Sequence, residues 1–226
     1  MKQTLYILTL TLGILSCNNQ TQKTVDNSSV PKHTDNNIKF HQLKKLFVVG
    51  DFDGDGKLDT IFQHNYSRLT QTEIEYAADP FQNEWDSVVK WFYDQDANVY
   101  LTMNKSSQDT LHLGTAQGLY CLINIGDNNA DGKDEVACVI DYLDFSRVNS
   151  CRIYSLCNYK WTLLKQFGIH EESFDFKSDK APIFENIKEF LEYQNNKWVY
   201  KDYSQVGYDN PEDSGKMMTL KLDKCN

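Results

Sequence analysis

The sequence is poor in the residue patterns that carry chemistry. Its five histidines, His33, His41, His64, His112 and His170, are scattered, and none stands in the H-E-x-x-H spacing that sets two imidazoles on one helix face around zinc. There is no G-x-S-x-G nucleophile elbow and no G-x-x-x-x-G-K-[ST] loop to cradle phosphate. No C-x-x-C pair offers a redox or zinc motif. Positive charge is in deficit, with 23 Lys and Arg against 32 Asp and Glu, which argues against nucleic acid and against adsorption to anionic lipid. Together these absences predict a non-catalytic protein with no catalytic residues to assign. His64, near the end of an apolar run, and His112, between Leu111 and Leu113, read as strand residues rather than ligands.

Long hydrophobic runs are also missing, apart from a short one at the start. Lys2 precedes Leu5-Tyr6-Ile7-Leu8-Thr9-Leu10-Thr11-Leu12-Gly13-Ile14-Leu15-Ser16, a basic start and an apolar stretch too short to span a bilayer comfortably, as in a secretory signal. Ile14-Leu15-Ser16-Cys17 resembles a bacterial lipobox, which implies cleavage after residue 16 and lipidation of Cys17. Residues 17–37 are polar and rich in Asn, Gln, Thr and Ser, so they read as a disordered tether. Asn18 is not the Asp that in some bacteria retains a lipoprotein at the inner membrane. The resemblance therefore implies a lipid-anchored protein of the bacterial cell envelope, at the outer membrane. Without Met1 to Ser16, which hold one Lys and no acid, the formal charge is −10.

Residues 38–226 form one predicted domain, large enough for a well-filled core. Two loops dominate it. In Gly50-Asp51-Phe52-Asp53-Gly54-Asp55-Gly56-Lys57-Leu58-Asp59, positions 1, 3, 5 and 9 are Asp51, Asp53, Asp55 and Asp59. A hard cation with six to eight oxygen ligands needs such carboxylates converging from a sharply bent segment. Lys57, at position 7, would add its carbonyl, and Gly56 allows the turn. Position 12 is Phe62 rather than the Glu of an EF-hand, and Thr60-Ile61-Phe62 reads as a strand. At an offset of 76 residues, Asp51 to Asp127, the pattern recurs with Asp127, Asn129, Asp131, Lys133 and Glu135 as candidate ligands. Two structural Ca2+ sites are expected. Four carboxylates against three place the first loop above the second in affinity.

These loops resemble the FG-GAP or VCBS repeat, the blade unit of integrin-alpha-type β-propellers. Leu113-Gly114-Thr115-Ala116-Gln117-Gly118-Leu119 is similar to the glycine-containing lead-in of that repeat. The likeness covers about half of the chain beyond the tether. It implies calcium between the first two strands of each blade, and no particular reaction. A repeat of about 60 to 75 residues fits only two to three times here, and a closed propeller typically needs at least about four blades. The expected fold is therefore all-β, mainly antiparallel, with a small helical insertion: an incomplete β-propeller-like arrangement of two to three blade-like sheets.

Strands are expected over Leu43–Val49, Thr60–His64, Asn98–Met103, Thr110–Leu113, Leu119–Ile125 and Glu135–Asp141. Cys151–Leu156 and Trp161–Leu164 should form a hairpin about Asn158-Tyr159, and Asn195-Asn196-Lys197-Trp198 echoes its N-x-K-W pattern. Leu220-Lys221-Leu222 reads as a last strand. Trp85, Val88, Val89 and Phe92 recur at helical spacing after Pro80, predicting an amphipathic helix, with a strand over Val88–Tyr93 as the alternative. Besides Cys17 there are five cysteines, an odd set. Cys121 and Cys138, on the strands flanking the second loop, are candidates for a bridge, or else small buried hydrophobes.

Two functions fit. One is a non-catalytic, calcium-binding envelope lipoprotein that binds or scaffolds a protein or glycan, with Tyr142, Phe145, Tyr203 and Tyr208 as candidate exposed contacts. The other is an envelope hydrolase or an enzyme accessory subunit, whose mark would be a pocket holding His64 or His112 beside an unpaired carboxylate.

Overall fold

Alternation of apolar and polar residues dictates most of the elements. The structure, a computed structural model, describes residues 37–104, 106–144, 146, 148–170, 173, 186–205 and 215–225, without the side chains of 106–109. All belong to one compact unit, Asp35–Asn226. The leader, Cys17 and the tether up to residue 36 lie outside the described residues. The strands are β1 Phe40–Gln42, β2 Phe47–Gly50, β3 Asp59–Ser67, β4 Thr72–Glu73, β5 Tyr76–Ala78, β6 Ala97–Met103, β7 Ser106–Gly114, β8 Gly118–Gly126, β9 Glu135–Asp141, β10 Val148–Cys157, β11 Lys160–His170, β12 Leu191–Gln194, β13 Lys197–Tyr200 and β14 Met218–Thr219, with helix α1 at Trp85–Asp94.

All the pairings are antiparallel, mostly between consecutive strands, with β3 next to β6 and β1 next to β5 as the exceptions. The first large sheet runs β2-β3-β6-β7 with β4 beside β3, the second β8-β9-β10-β11, the third β12-β13-β14, and β1 pairs with β5. The protein is thus mostly antiparallel β structure with one short helix and several sheets, none of them closed. In β3, Asp59, Ile61, Gln63, Asn65 and Ser67 are buried while Thr60, Phe62, His64 and Tyr66 face outwards, the period of two that a half-buried strand requires. Strand β9 is instead buried from Glu135 to Ile140, because its sheet is covered on both faces. On one face Leu122, Val136, Cys138 and Ile140 pack with Ile61, Leu101 and Leu113 of the first sheet. On the other, Cys121, Ala137, Val139 and Ile153 pack with Leu191, Trp198 and Leu220 of the third region.

That double covering decides between the two readings of Cys121 and Cys138 in favour of small buried hydrophobes. Cys121 stands opposite Val139 and Cys138 opposite Leu122, so the two thiols point to opposite faces of one sheet. Cys121, Cys138 and Cys151 are free and buried, and burial pushes the first and last well above the usual thiol range and Cys138 to about 12. The disulfide joins Cys157 and Cys225, 68 residues apart, with Cα atoms 5.1 Å apart.

The segment between β3 and β6 supplies β4, β5 and the helix. Val88, Trp91 and Phe92 of α1 are buried against Leu43, Ala77 and Ala78, so the helical periodicity holds and the strand alternative over Val88–Tyr93 does not. Asn158 and Tyr159 (φ 49° and 60°) turn β10 into β11, and Asn195 and Asn196 (φ 50° and 61°) turn β12 into β13. Left-handed φ at both central residues is what a type I′ hairpin needs. The last strand is Met218–Thr219 rather than Leu220–Leu222. Leu220 only ends the pairing, with its N–H on Trp198 O at 2.9 Å.

Candidate metal centre

Two carboxylate clusters sit where β2 turns into β3 and β8 into β9. Asp51, Asp53 and Asp59 bring ligand oxygens within 4.8 Å of one another, as do Asp127, Asp131 and Glu135. The two loops share one local fold. Each is closed by a glycine opposite an acid, Gly50 with Asp59 and Gly126 with Glu135. Asp51 Oδ2 accepts the Gly56 N–H at 2.9 Å, and Asp127 Oδ2 the Gly132 N–H at 3.0 Å. Asp53 Oδ1 accepts the Asp55 N–H at 3.1 Å, matched by Asn129 Oδ1 and the Asp131 N–H at 2.9 Å. Asp55 and Asp131 accept the N–H of Lys57 and Lys133 at 2.8 and 3.1 Å. Left-handed backbone recurs at the fourth and sixth positions, Gly54 and Gly56 in one loop (φ 77° and 79°), Ala130 and Gly132 in the other (φ 57° and 88°).

At the ninth position the acid is fully buried in both loops, Asp59 and Glu135 each at 0 % exposure. Glu135 Oε2 accepts the Asn128 N–H at 2.8 Å, while the buried Oε1 has no hydrogen-bond partner among the described residues. Burial pushes this carboxyl up to about 7 against the Asn128 bond, and Asp131, Asp127 and Asp134 add to the rise. A carboxyl in such a place holds its proton unless a cation or further hydrogen-bond donors favour the ionised form. All the side-chain donors are oxygens and none is a histidine, which fits a hard cation such as calcium.

The structure does not bring every predicted ligand together. Asp55 stands outside the first cluster, its Oδ2 3.5 Å from Lys57 Nζ. Each of these clusters gathers three acids, and in the first loop Asp55 stands beside its cluster. Asn129 is buried beside Asp131, donating to its Oδ2 at 3.1 Å. Lys133 Nζ donates to Leu156 O at 2.8 Å, whereas the Lys57 side chain is exposed.

One important residue escaped the sequence reading. Asp134 bridges the loops: its Oδ2 accepts the Asp51 N–H at 3.0 Å and Asn124 Nδ2 at 2.8 Å, and its N–H donates to Asp51 O at 2.8 Å. The signal was available, since the first loop has the exposed Leu58 at that position. Gly50 makes the bridge possible, because a Cβ there would lie 2.4 Å from Asn124 Nδ2 and 2.6 Å from Asp134 Oδ2.

The other candidates lie apart from the loops. Tyr142 is half-buried under the Arg152 guanidinium, 5.7 Å from its ring. Tyr203 packs on His170 and Phe190 at 5.0 and 6.1 Å, so both are anchors rather than free contacts. Phe145 and Tyr208 lie outside the described residues. The outer face of the first sheet carries the exposed Phe47 and Phe62 and the half-buried Tyr66 and Tyr100. Phe47 and Phe62 pair across β2 and β3 with centroids 6.4 Å apart, and Tyr66 meets Tyr100 at 6.1 Å.

On that same face His64 lies between Glu73 Oε1, 2.8 Å from Nδ1, and Thr102 Oγ1, 2.8 Å from Nε2, with its ring stacked on Tyr100 at 4.7 Å. Glu73 is not an unpaired carboxylate, since Lys45 Nζ is 3.2 Å from its Oε2. His112 tilts against Tyr100 at 5.9 Å. Comparison with family models, curated proteins and solved structures finds no match to this chain.

Proposed function

We propose that this is a non-catalytic, calcium-binding lipoprotein of the bacterial cell envelope that holds a protein or glycan ligand. The observation that carries the calcium assignment is the matched pair of loops, each with the same hydrogen-bond register and a fully buried acid where the next strand begins. Calcium acts structurally, neutralising the turn that joins the first two strands of each of two sheets. On this basis the sheets are blades of an incomplete propeller, stacked face to face through their apolar clusters. The exposed Phe47 and Phe62, paired on the outer face of the first sheet, support a binding role, because exposed rings stack on sugars or apolar side chains with little loss of rotamer entropy.

The Cys17 lipid tethers the domain to the outer membrane. Cys17→Ala should abolish acyl labelling and move the protein from the detergent to the aqueous phase, since two acyl chains anchor where one scarcely does. Calorimetric titration of the full chain with calcium tests the metal: two sites are expected, and a chain that takes up none sinks the assignment.

A second function, an envelope hydrolase or accessory subunit, draws on the Thr102–His64–Glu73 chain of contacts, which has the order of hydroxyl, base and orienting carboxylate, but it lacks the unpaired carboxylate, because Lys45 pairs with Glu73. A fluorophosphonate probe separates the two. Labelling that disappears with Thr102→Ala and His64→Ala supports a hydrolase, and no labelling is expected of the binding protein.

A further inference from the structure

We propose that the C-terminal segment is a disulfide-latched strap that slows metal exchange at the second loop, while the first loop stays open. This rests on the calcium assignment above and extends it to the control of one site. Three contacts tie residues 223–225 to the loop: Asn129 Nδ2 donates to Asp223 O at 3.2 Å, Lys224 Nζ to Ala130 O at 2.8 Å, and the Cys225 N–H to Asp131 Oδ2 at 3.4 Å. The Cys157–Cys225 disulfide fixes the same segment to the end of β10. From the other side Lys133 reaches Leu156 O, next to that cysteine. Positions 3, 4, 5 and 7 of the loop are therefore each held by the strap or by the strand to which it is bonded.

An acidic loop alone would not establish a metal site here. The independent sign is Glu135, fully buried, with Oε1 lacking a hydrogen-bond partner among the described residues and a carboxylate oxygen within 4.8 Å of those of Asp127 and Asp131. In the first loop Gly54, Asp55, Gly56 and Lys57 are exposed. Rigidity raises affinity and slows release, so the strap works against the order expected from ligand charge.

The latch opens by thiol–disulfide exchange with a dithiol reductant. One thiolate attacks a sulfur of the Cys157–Cys225 bond and forms a mixed disulfide, and the second thiol resolves it. Two electrons leave the dithiol, which departs as its own disulfide, and the two cysteines each gain a proton. Attack is on Cys225, which is half-buried, whereas Cys157 is buried; the bond borders a hollow lined by Asn158, Lys160, Thr162 and Leu164. The free thiols Cys121, Cys138 and Cys151 are buried and do not compete.

The test is stopped-flow mixing of the calcium-loaded full chain with a fluorescent calcium chelator. Release should show a fast phase that Asp53→Ala removes and a slow phase that Asp131→Ala removes. Dithiothreitol, or Cys157→Ser with Cys225→Ser, should speed the slow phase at least about tenfold and leave the fast phase within about twofold. Lys224→Ala keeps the disulfide and should speed the slow phase a few-fold, which preserves the test if the cysteine variant does not fold. A slow phase indifferent to both reduction and Lys224→Ala overturns the strap, as does an equal acceleration of both phases. No calcium uptake by the unmodified chain overturns the calcium assignment itself, a result distinct from uptake with redox-independent release.

Discussion

Ala130 holds a φ of 57° where the first loop has Gly54 at 77°, and a Cβ in the left-handed region costs about 1–2 kcal/mol. Ala130→Gly should remove that cost, less what the unfolded chain gains in freedom, for a net gain of about 0.5–1 kcal/mol. In a domain of this size that is a rise of about 1–4 °C in the melting temperature; a fall would show that the methyl group packs usefully. Glu135 sets a pH dependence. Its carboxyl is raised from 4.5 to about 7 in the fold, so the metal-free folded chain binds more protons than the unfolded one, and its stability falls as pH rises through that window. Calcium needs the ionised form, so the second loop should bind more tightly as pH rises towards 7 and release a proton on binding at pH 6. Calorimetry at pH 6 in two buffers of different ionisation enthalpy reads that proton. Glu135→Gln should abolish the buffer dependence.

The elements follow from local chemistry, and their turns can be improved by it. Tyr159 sits at φ 60° and is 80 % exposed, so its ring contributes little packing and its backbone is in a conformation glycine takes freely. Asn-Gly is the preferred pair for a type I′ turn, and Tyr159→Gly should stabilise the β10–β11 hairpin by about 0.5–1 kcal/mol. An unchanged or lower denaturation midpoint would contradict this. The hairpins were legible because Asn tolerates positive φ and the residues around it are aromatic or β-branched. The helix was legible from Trp85, Val88 and Phe92, although Trp91, buried to 2 %, lay outside that stripe. The ladder beside β13 was not, because Leu220 is buried with Trp198 in the core while Met218 and Thr219, both exposed, make the pairing. Hydrophobicity alone locates the first and not the second.

At the scale of the whole molecule the loops act on each other through Asp134. Gly50→Ala would drive a methyl group into Asn124 and Asp134, and crowding of this kind costs about 1–3 kcal/mol. The melting temperature should fall both in chelator and in calcium, because the bridge stands without metal. Asp53→Ala, by contrast, should lower it in calcium and change it little in chelator. With free calcium at about ten times the dissociation constant, each filled site adds about 1.4 kcal/mol. If Gly50→Ala melted normally in chelator, the bridge would have no part in stability.

The sequence by itself determined the two loops, their offset, the strands around them and the Asn turns, because all of these depend on residues close together in the chain. Carboxylate spacing, glycine at a left-handed position and two-residue alternation are local rules, and they survive folding. The tertiary structure decided which groups meet across the chain: Asp134 against Asp51, Cys157 with Cys225 instead of Cys121 with Cys138, and the tail across the second loop. It also decided burial, turning Glu135 from one acid among many into a carboxyl shut away from water and raised to about 7. Those outcomes depend on which face of each sheet is covered, and a strand carries the same alternation whether one face is covered or both.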